Sequence, residues 1–302
     1  MTLFLVILPV FIVFAIGFIG QKTIGFEPRT LSKMALYLMS PFLAFRTFYE
    51  HKVNEQYLYL SIYAVGLCFS LIAVIYLLSY IRKFSVQDTC GLILSSVFMN
   101  NGNYGTPVAL LAFGKTGLNI AIILLVIQQL IMSTVGIYYA AKGSNGLGSY
   151  KIAVQAVVKM PIVYGALLGV LFQFTHVTIP RFLYTAVDLV ADAVIPTIMI
   201  VLGMQLAAIS LKNIEKEKMI YALIIKLIIS PLLALVFVML LPVGDIVGKI
   251  MILMAAMPSA ANTTMYALQF NTQPEFVSSV TFVSTIISIV YIPLVLYFIQ
   301  NL

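Results

Sequence analysis

Long apolar runs alternate with short polar connections along the whole chain. A window of about 19 residues marks ten spans, roughly 2–20, 31–49, 57–81, 88–113, 117–141, 157–175, 182–209, 219–241, 248–270 and 276–299. Each is long enough for a hydrocarbon core of about 30 Å, which takes about 20 residues. The pattern predicts an all-α polytopic membrane protein. Arg46 near its end makes the second span the least apolar in character.

Two spans break their own pattern. The fourth begins and ends apolar, but its middle reads NNGNYGTP over residues 100–107, with three Asn, two Gly and a Pro. Such a run cannot continue an ordinary helix. In lipid, the interrupted backbone must be satisfied by protein or by a water-filled cavity. Two half-helices meeting at mid-membrane around a binding site are expected. The ninth span breaks likewise in PSAANTT, residues 258–264.

The segment from Lys142 to Tyr150, rich in Gly and Ser, is the one connection with linker character. It divides the chain into residues 1–141, the linker 142–150, and residues 151–302. The halves resemble each other. Pro9 of span 1 is matched by Pro161 of span 6, and Pro41 of span 2 by Pro196 of span 7. The broken spans finish in a similar cadence, ALLAFG and YALQFN. Five spans per half is odd, so the second half enters the membrane with opposite polarity. Discontinuous spans 4 and 9 at matching places in an inverted repeat point to a transporter site.

Composition agrees, with 62% apolar and 9% charged residues against about 25% charged in soluble domains. Span 1 lacks a basic leader and a small-x-small cleavage site, so it reads as a span rather than a signal peptide. The net charge of +7 points to no nucleic acid; its distribution is what informs. Connections after odd-numbered spans carry eleven Lys and Arg and the other side five, with Lys226 left inside span 8. The positive-inside rule then puts both termini outside the cell membrane. Cys68 and Cys90 read as buried thiols, and no His, Cys and acid cluster has metal-ligand spacing. His51 and His176 fall in outer loops. There is no phosphate-binding GxxxxGK[ST] segment, hence no nucleotide drive. No convergent acids suggest an enzyme, and no cofactor is expected beyond a coupling H+ or Na+.

The candidate substrate residues are Asn100, Asn101, Gly102, Asn103, Gly105, Thr106 and Pro107 in the first break. Pro258, Ser259, Asn262 and Thr263 are their counterparts in the second. A half-helix starting at Thr106-Pro107 would expose free N–H groups and a positive dipole end. A second would start near Asn262, whose side chain can cap the following N–H groups. Two such ends facing one cavity bind an anion without fixed positive charge. The Asn amides offer donors for a carboxylate and acceptors for a cation or a protonated acid. Gly102 and Gly105 permit tight turns and close approach. The bland alternative is that the Asn residues only satisfy broken backbone.

Of Gln128 and Gln129 in span 5, Gln128 is taken to face the core. Ser40 beside Pro41 is a candidate on the opposite wall. Asp188 and Asp192 share one face of span 7, with Asp192 about 16 Å from Arg181 along the helix. An acid at that depth is a coupling-ion candidate by default. Lys226, about 12 Å along the helix from Lys218, either snorkels to the inner interface or stands with Asp188 and Asp192 as an ion-coupling candidate, as a counter-charge for an organic anion or paired with an acid in the core.

With NNGNYGTP at 100–107, IPTIMIVLGMQLA at 195–207 and PSAANTT at 258–264 in order, the chain resembles the auxin efflux carrier family, including its bacterial malate and malonate permeases. That resemblance implies a fold like those of the bile-acid/sodium symporters and sodium/proton antiporters. Spans 1, 2, 6 and 7 would form a scaffold. Spans 3–5 and 8–10 would form a core in which spans 4 and 9 cross. Elevator-type movement and a homodimer are implied as well.

The leading reading is a secondary active carrier of a small organic anion, such as a malate- or malonate-like carboxylate, driven by a proton or sodium gradient or by exchange. A cation/proton antiporter using Asp188 and Asp192 is the alternative on the same fold. A sensor without flux is the alternative of another class.

Overall fold

The computed structural model describes residues 2–50, 55–144, 158, 160–208 and 215–301. Every regular element among them is helical. Five helical segments there are long and apolar enough to cross a membrane, and Leu8–Ile24 and Pro161–Phe174 are shorter apolar helices.

Helix α1 is Thr2–Ile24, and α2, Pro28–Lys33, leads through a π-turn at Met34–Met39 into α3, Ser40–Glu50. Helix α4 is Glu55–Arg82 and α5 is Val86–Ser96. The first break follows, then a π-turn at Asn101–Gly105 and α6, Thr106–Ile131. A π-turn at Met132–Gly136 joins α6 to α7, Ile137–Gly143. The second half has α8 (Pro161–Phe174) and α9 (Arg181–Ala208). After them come α10 (Lys216–Ile224), a π-turn at Ile225–Ile229, and α11 (Ser230–Leu240). The chain closes with α12 (Asp245–Ala255), α13 (Ala261–Phe270) and α14 (Pro274–Gln300).

These bounds follow the hydropathy spans closely, and local chemistry explains several of them. Ser85 caps α5, accepting from the Asp88 N–H at 3.1 Å and donating to the Asp88 carboxylate at 2.8 Å, which is a reciprocal N-terminal cap. Pro161 and Pro274 open α8 and α14, where a missing N–H costs nothing. Both cadences end at a positive φ, though differently: Gly114 kinks α6 with φ 64° and ψ −157°, a conformation open to glycine, and Asn271 ends α13 in the left-handed helical region with φ 53° and ψ 41°. Lys142 proves to belong to α7, whose last residue is Gly143, so the linker begins later than expected. The rest of it, 145–150, lies outside the described residues, as do His51 and residues 151–157.

Two layers of helices result. Helix α1 lies along α9, and α3 along α8, with α3 and α9 also in contact. Glycines set these distances. A Cβ at Gly17 or Gly203 would fall on the backbone oxygen of Ile200 or Phe14, and one at Gly169 would lie 2.6 Å from the Phe45 oxygen. Small residues let apolar helices approach in this way. Helices α4–α7 and α10–α14 form the second layer, which holds both breaks. Tyr104, fully buried in the first break, packs on the Phe11 and Phe14 rings of α1 at 6.0 and 5.3 Å and accepts a hydrogen bond from Ser288 of α14.

Polar clasps close the end of the molecule that carries most of the Lys and Arg. Lys218 bridges Asp88 at 2.6 Å and Glu215 at 2.7 Å, Gln273 donates to the same Asp88 oxygen at 2.9 Å, and Arg82 pairs with Glu217. These contacts tie the starts of α5, α10 and α14 together.

Candidate functional site

The two breaks meet. Met99 and Ser259 form an antiparallel bridge, in which the Asn100 N–H donates to the Pro258 carbonyl at 2.8 Å and the Ala260 N–H to the Phe98 carbonyl at 3.0 Å. Backbone freed by each interruption is thus satisfied by the other, as an apolar surround requires. A Cβ at Gly105 would lie 2.9 Å from Met254 Sδ and 3.2 Å from Met257 Cγ. The glycine therefore lets the first break pass close to the second.

The half-helix starts differ from expectation. The π-turn carries the first helical backbone back to Asn101, with the Asn100 carbonyl accepting from the Tyr104 and Gly105 N–H groups at 3.2 and 2.9 Å. Thr106-Pro107 is therefore not a free start, and the N-terminal N–H groups are those of Asn101, Gly102 and Asn103. In the second break the cap position is Ala260, and no side chain caps the helix. Asn262 lies one position past the helix start, so its amide is free for other use.

A cavity of about 490 Å³ opens between the two layers beside the breaks. Asn100, Asn101, Gly102, Asn103, Thr106 and Asn262 line it from the breaks. Gly105, Pro107, Pro258, Ser259 and Thr263 do not. They build the joint instead: Ser259 donates its hydroxyl to the Ser95 carbonyl and its N–H to the Ser284 hydroxyl, while Thr263 turns back to the Ala260 carbonyl at 2.8 Å. Both glutamines line the cavity, contrary to the expectation that one would. Gln128 donates to the Met99 carbonyl at 2.6 Å and accepts from the Asn101 amide, and Gln129 lies 3.8 Å from Met160 Sδ. Ser40 lines the opposite wall as expected, with Val194 and Ile198 of α9.

Three buried polar atoms at the breaks lack a protein partner: Asn100 Nδ2, Asn101 Oδ1 and Asn262 Oδ1. Buried polar groups are normally bonded, so these are placed to bond something else. Arg29 and Lys33 are the charged residues of the lining, and both are cations at the basic end. Sequence reasoning missed them as site residues, along with Tyr266 and Gln269. Arg29 and Lys33 are four apart, and Asn262, Tyr266 and Gln269 follow helical spacing, so both signals were present.

The acids lie elsewhere. Arg46 donates to Asp192 at 2.7 Å and to Asp188 at 3.3 Å, and the Asp192 side chain is 75% exposed. This ion-paired group joins α3 to α9 and does not line the cavity. Lys226 does not snorkel. It is fully buried, and its Nζ has no hydrogen-bond partner.

A break-and-cavity architecture of this kind is what the comparisons with known proteins bear on. The sequence profile of the family described as membrane transport protein matches residues 2–296. The chain belongs to that family, the auxin efflux carriers. An uncharacterized transporter of Methanocaldococcus jannaschii is 27% identical over 304 residues, covering 96% of each chain. A second, from Methanothermobacter thermautotrophicus, is 27% identical over 286 residues, covering 94% of this chain and 92% of the relative. A Rhizobium meliloti protein named "Putative malonate transporter" is 24% identical over 307 residues, covering 98% and 95%. Membership in this family, with several apolar helices, makes the chain a multi-pass membrane protein and a transporter rather than an enzyme.

Proposed function

We propose that this membrane transport protein is a secondary active carrier of a small organic anion of the carboxylate class. The observation that carries the reading is a cavity whose charged lining is wholly positive and whose two breaks hold three side-chain amide atoms without protein partners, Asn100 Nδ2, Asn101 Oδ1 and Asn262 Oδ1. An Asn amide presents its donor or its acceptor after a half-turn. Asn100 and Asn262 can therefore turn N–H groups to a carboxylate, while Asn101, whose N–H donates to Gln128, offers its oxygen to a protonated one. The helix starts at Asn101 and Ala261 add positive dipole ends. Arg29 and Lys33 raise the local anion concentration at the mouth. Malonate, the compound in the Rhizobium relative's name, is the first substrate to test. Asp188 and Asp192 are engaged by Arg46 away from the cavity, so the cation antiporter reading finds no support in the site.

The ten spans form two inverted repeats in this proposal. Helices α1, α3, α8 and α9 are the static scaffold; the other layer carries substrate in an elevator movement under a proton or sodium gradient. The basic end faces the cytoplasm and both termini face outward, by the positive-inside rule. In a homodimer, a second copy covers the exposed Asp192 at mid-depth, where lipid would not. Crosslinking through cysteines placed at Leu189 tests that contact.

The test of transport uses purified protein in liposomes. Labelled malonate should exchange with internal malonate, and Asn101→Ala and Asn262→Ala should each lower the rate at least tenfold. Unchanged exchange in both variants would remove the breaks from the site.

A further inference from the structure

Among the described residues, Lys226 is the one charged residue that is fully buried in the second layer. It is 0% exposed and its Nζ meets no acceptor. It sits in the π-turn Ile225–Ile229, where the helix is clamped on both sides. Tyr291 of α14 donates to the carbonyl of the next residue, Leu227. Ser230, four residues on and so on the same face, donates at 2.8 Å to the Ala255 carbonyl, the last residue of α12 before the second break. The face of the helix that carries Lys226 is therefore fastened to the moving joint.

The titratable groups on the surrounding helices are otherwise engaged. Tyr63 of α4 donates to the Met251 carbonyl at 2.7 Å. Glu217 and Lys218 of α10 pair with Arg82 and Asp88. Asp245 and Lys249 of α12 pair with each other at 3.0 Å. Cys68 and Cys90 are buried free thiols, and Glu55 and Glu275 are exposed at helix ends. None of them bonds the Nζ. An ammonium sealed in such a place has no counter-charge and is costly, and a methionine would fill the same space with no amine to hide.

Resting on the transport reading above, we propose that Lys226 carries the coupling proton. Its Nζ is the neutral amine in the conformation seen here. When the second layer shifts against the scaffold and water reaches the Ser230–Ala255 contact from one side, the Nζ lone pair takes one proton from that solvent to become the ammonium; once the shift has turned the contact to water on the other side, the ammonium gives the proton up there. The coupling ion in this proposal is a proton, because the group that charges is an amine and among the described residues no carboxylate lies beside it to hold Na+.

Two measurements on Lys226→Met, with Lys226→Gln as a second variant, test this. In liposomes, uptake of labelled malonate driven by an imposed pH gradient should fall at least tenfold, while malonate exchange at equal pH on both sides stays measurable. In detergent, without substrate, the melting temperature of Lys226→Met should exceed that of wild type at pH 6, and the gap should close towards pH 10. The sign follows from proton counting: an amine neutral when folded and protonated when unfolded loses stability as pH falls, and the variant has no such group. A constant gap across pH, or full gradient-driven uptake by either variant, would overturn the assignment. Wild type without malonate exchange would count against the substrate reading alone, since the melting gap still decides whether the sealed Lys226 is neutral in the folded protein, and a constant gap would overturn the assignment whatever the substrate.

Discussion

Replacing Gln128 with leucine isolates the contact that holds the first break against α6. The side chain makes two bonds, donating to the Met99 carbonyl at 2.6 Å and accepting from the Asn101 amide. Leucine has nearly the same volume and neither function, so both partners lose a bond. If the site were dry, each orphaned group would cost about 1–3 kcal/mol, or about 2–6 kcal/mol together. Gln128 and Asn101 both line the cavity, however, and water there can replace the lost partner. Side-chain hydrogen bonds inside membrane proteins average about 0.6 kcal/mol and reach about 1.7. The wet value, about 1–2 kcal/mol for the pair, is therefore expected. At about 2–4 °C per kcal/mol for chains of this size class, the melting temperature in detergent should drop by about 2–8 °C. The same variant frees the Asn101 amide to rotate, so KM for malonate should rise several-fold, while Gln128→Glu, which keeps the acceptor but adds a negative charge to an anion site, should raise it further. A leucine variant with wild-type melting temperature and wild-type KM would refute the role given to Gln128.

Further substitutions probe other parts of the structure. At Gly105, alanine should be tolerated because Met254 Sδ, 2.9 Å from the new Cβ, can swing aside, whereas valine should abolish exchange while the protein still purifies as a monodisperse species. Gly203→Ala places a methyl on the Phe14 backbone oxygen; overpacking of this kind costs about 1–3 kcal/mol, read as a lower melting temperature. Arg29→Ala with Lys33→Ala should slow malonate entry several-fold at low salt and much less at high salt, because exposed charges act through a screened field. Asp88→Asn leaves Lys218 without its main partner and should raise protease sensitivity near Ser85, measured by limited proteolysis.

The fold was largely readable because lipid imposes one solution on long apolar runs. Helix bounds at Arg82, Arg181 and Pro274 follow from charge and proline alone. The joint between the breaks was readable as a pair of interruptions, since no helix continues through NNGNYGTP. Finer placement was not. The π-turn at Asn101–Gly105 moved the helix start by several residues, held by the Asn100 carbonyl accepting from the Tyr104 and Gly105 N–H groups, a bonding pattern that residue types alone do not display. Asp192 looked like a buried acid because depth along a helix is legible while its rotation against Arg46 is not. Lys226 erred the other way: snorkelling is a local option, and whether neighbouring helices close over the amine is a tertiary fact. The cavity cations were overlooked because Arg29 and Lys33 had already been explained as markers of orientation.

The bridge between Met99 and Ser259 also bears on how the protein is made. Phe98 and Asn100 leave the ribosome some 160 residues ahead of the Pro258 and Ala260 groups that satisfy them. Throughout that interval the first half holds an open backbone gap in the bilayer, closed provisionally by water or by whatever accompanies insertion. Synthesis of the second half is thus also the repair of the first. Pausing or truncation before Pro258 leaves a chain that has crossed the membrane but not completed its interior, which makes that point the natural one for quality control to read.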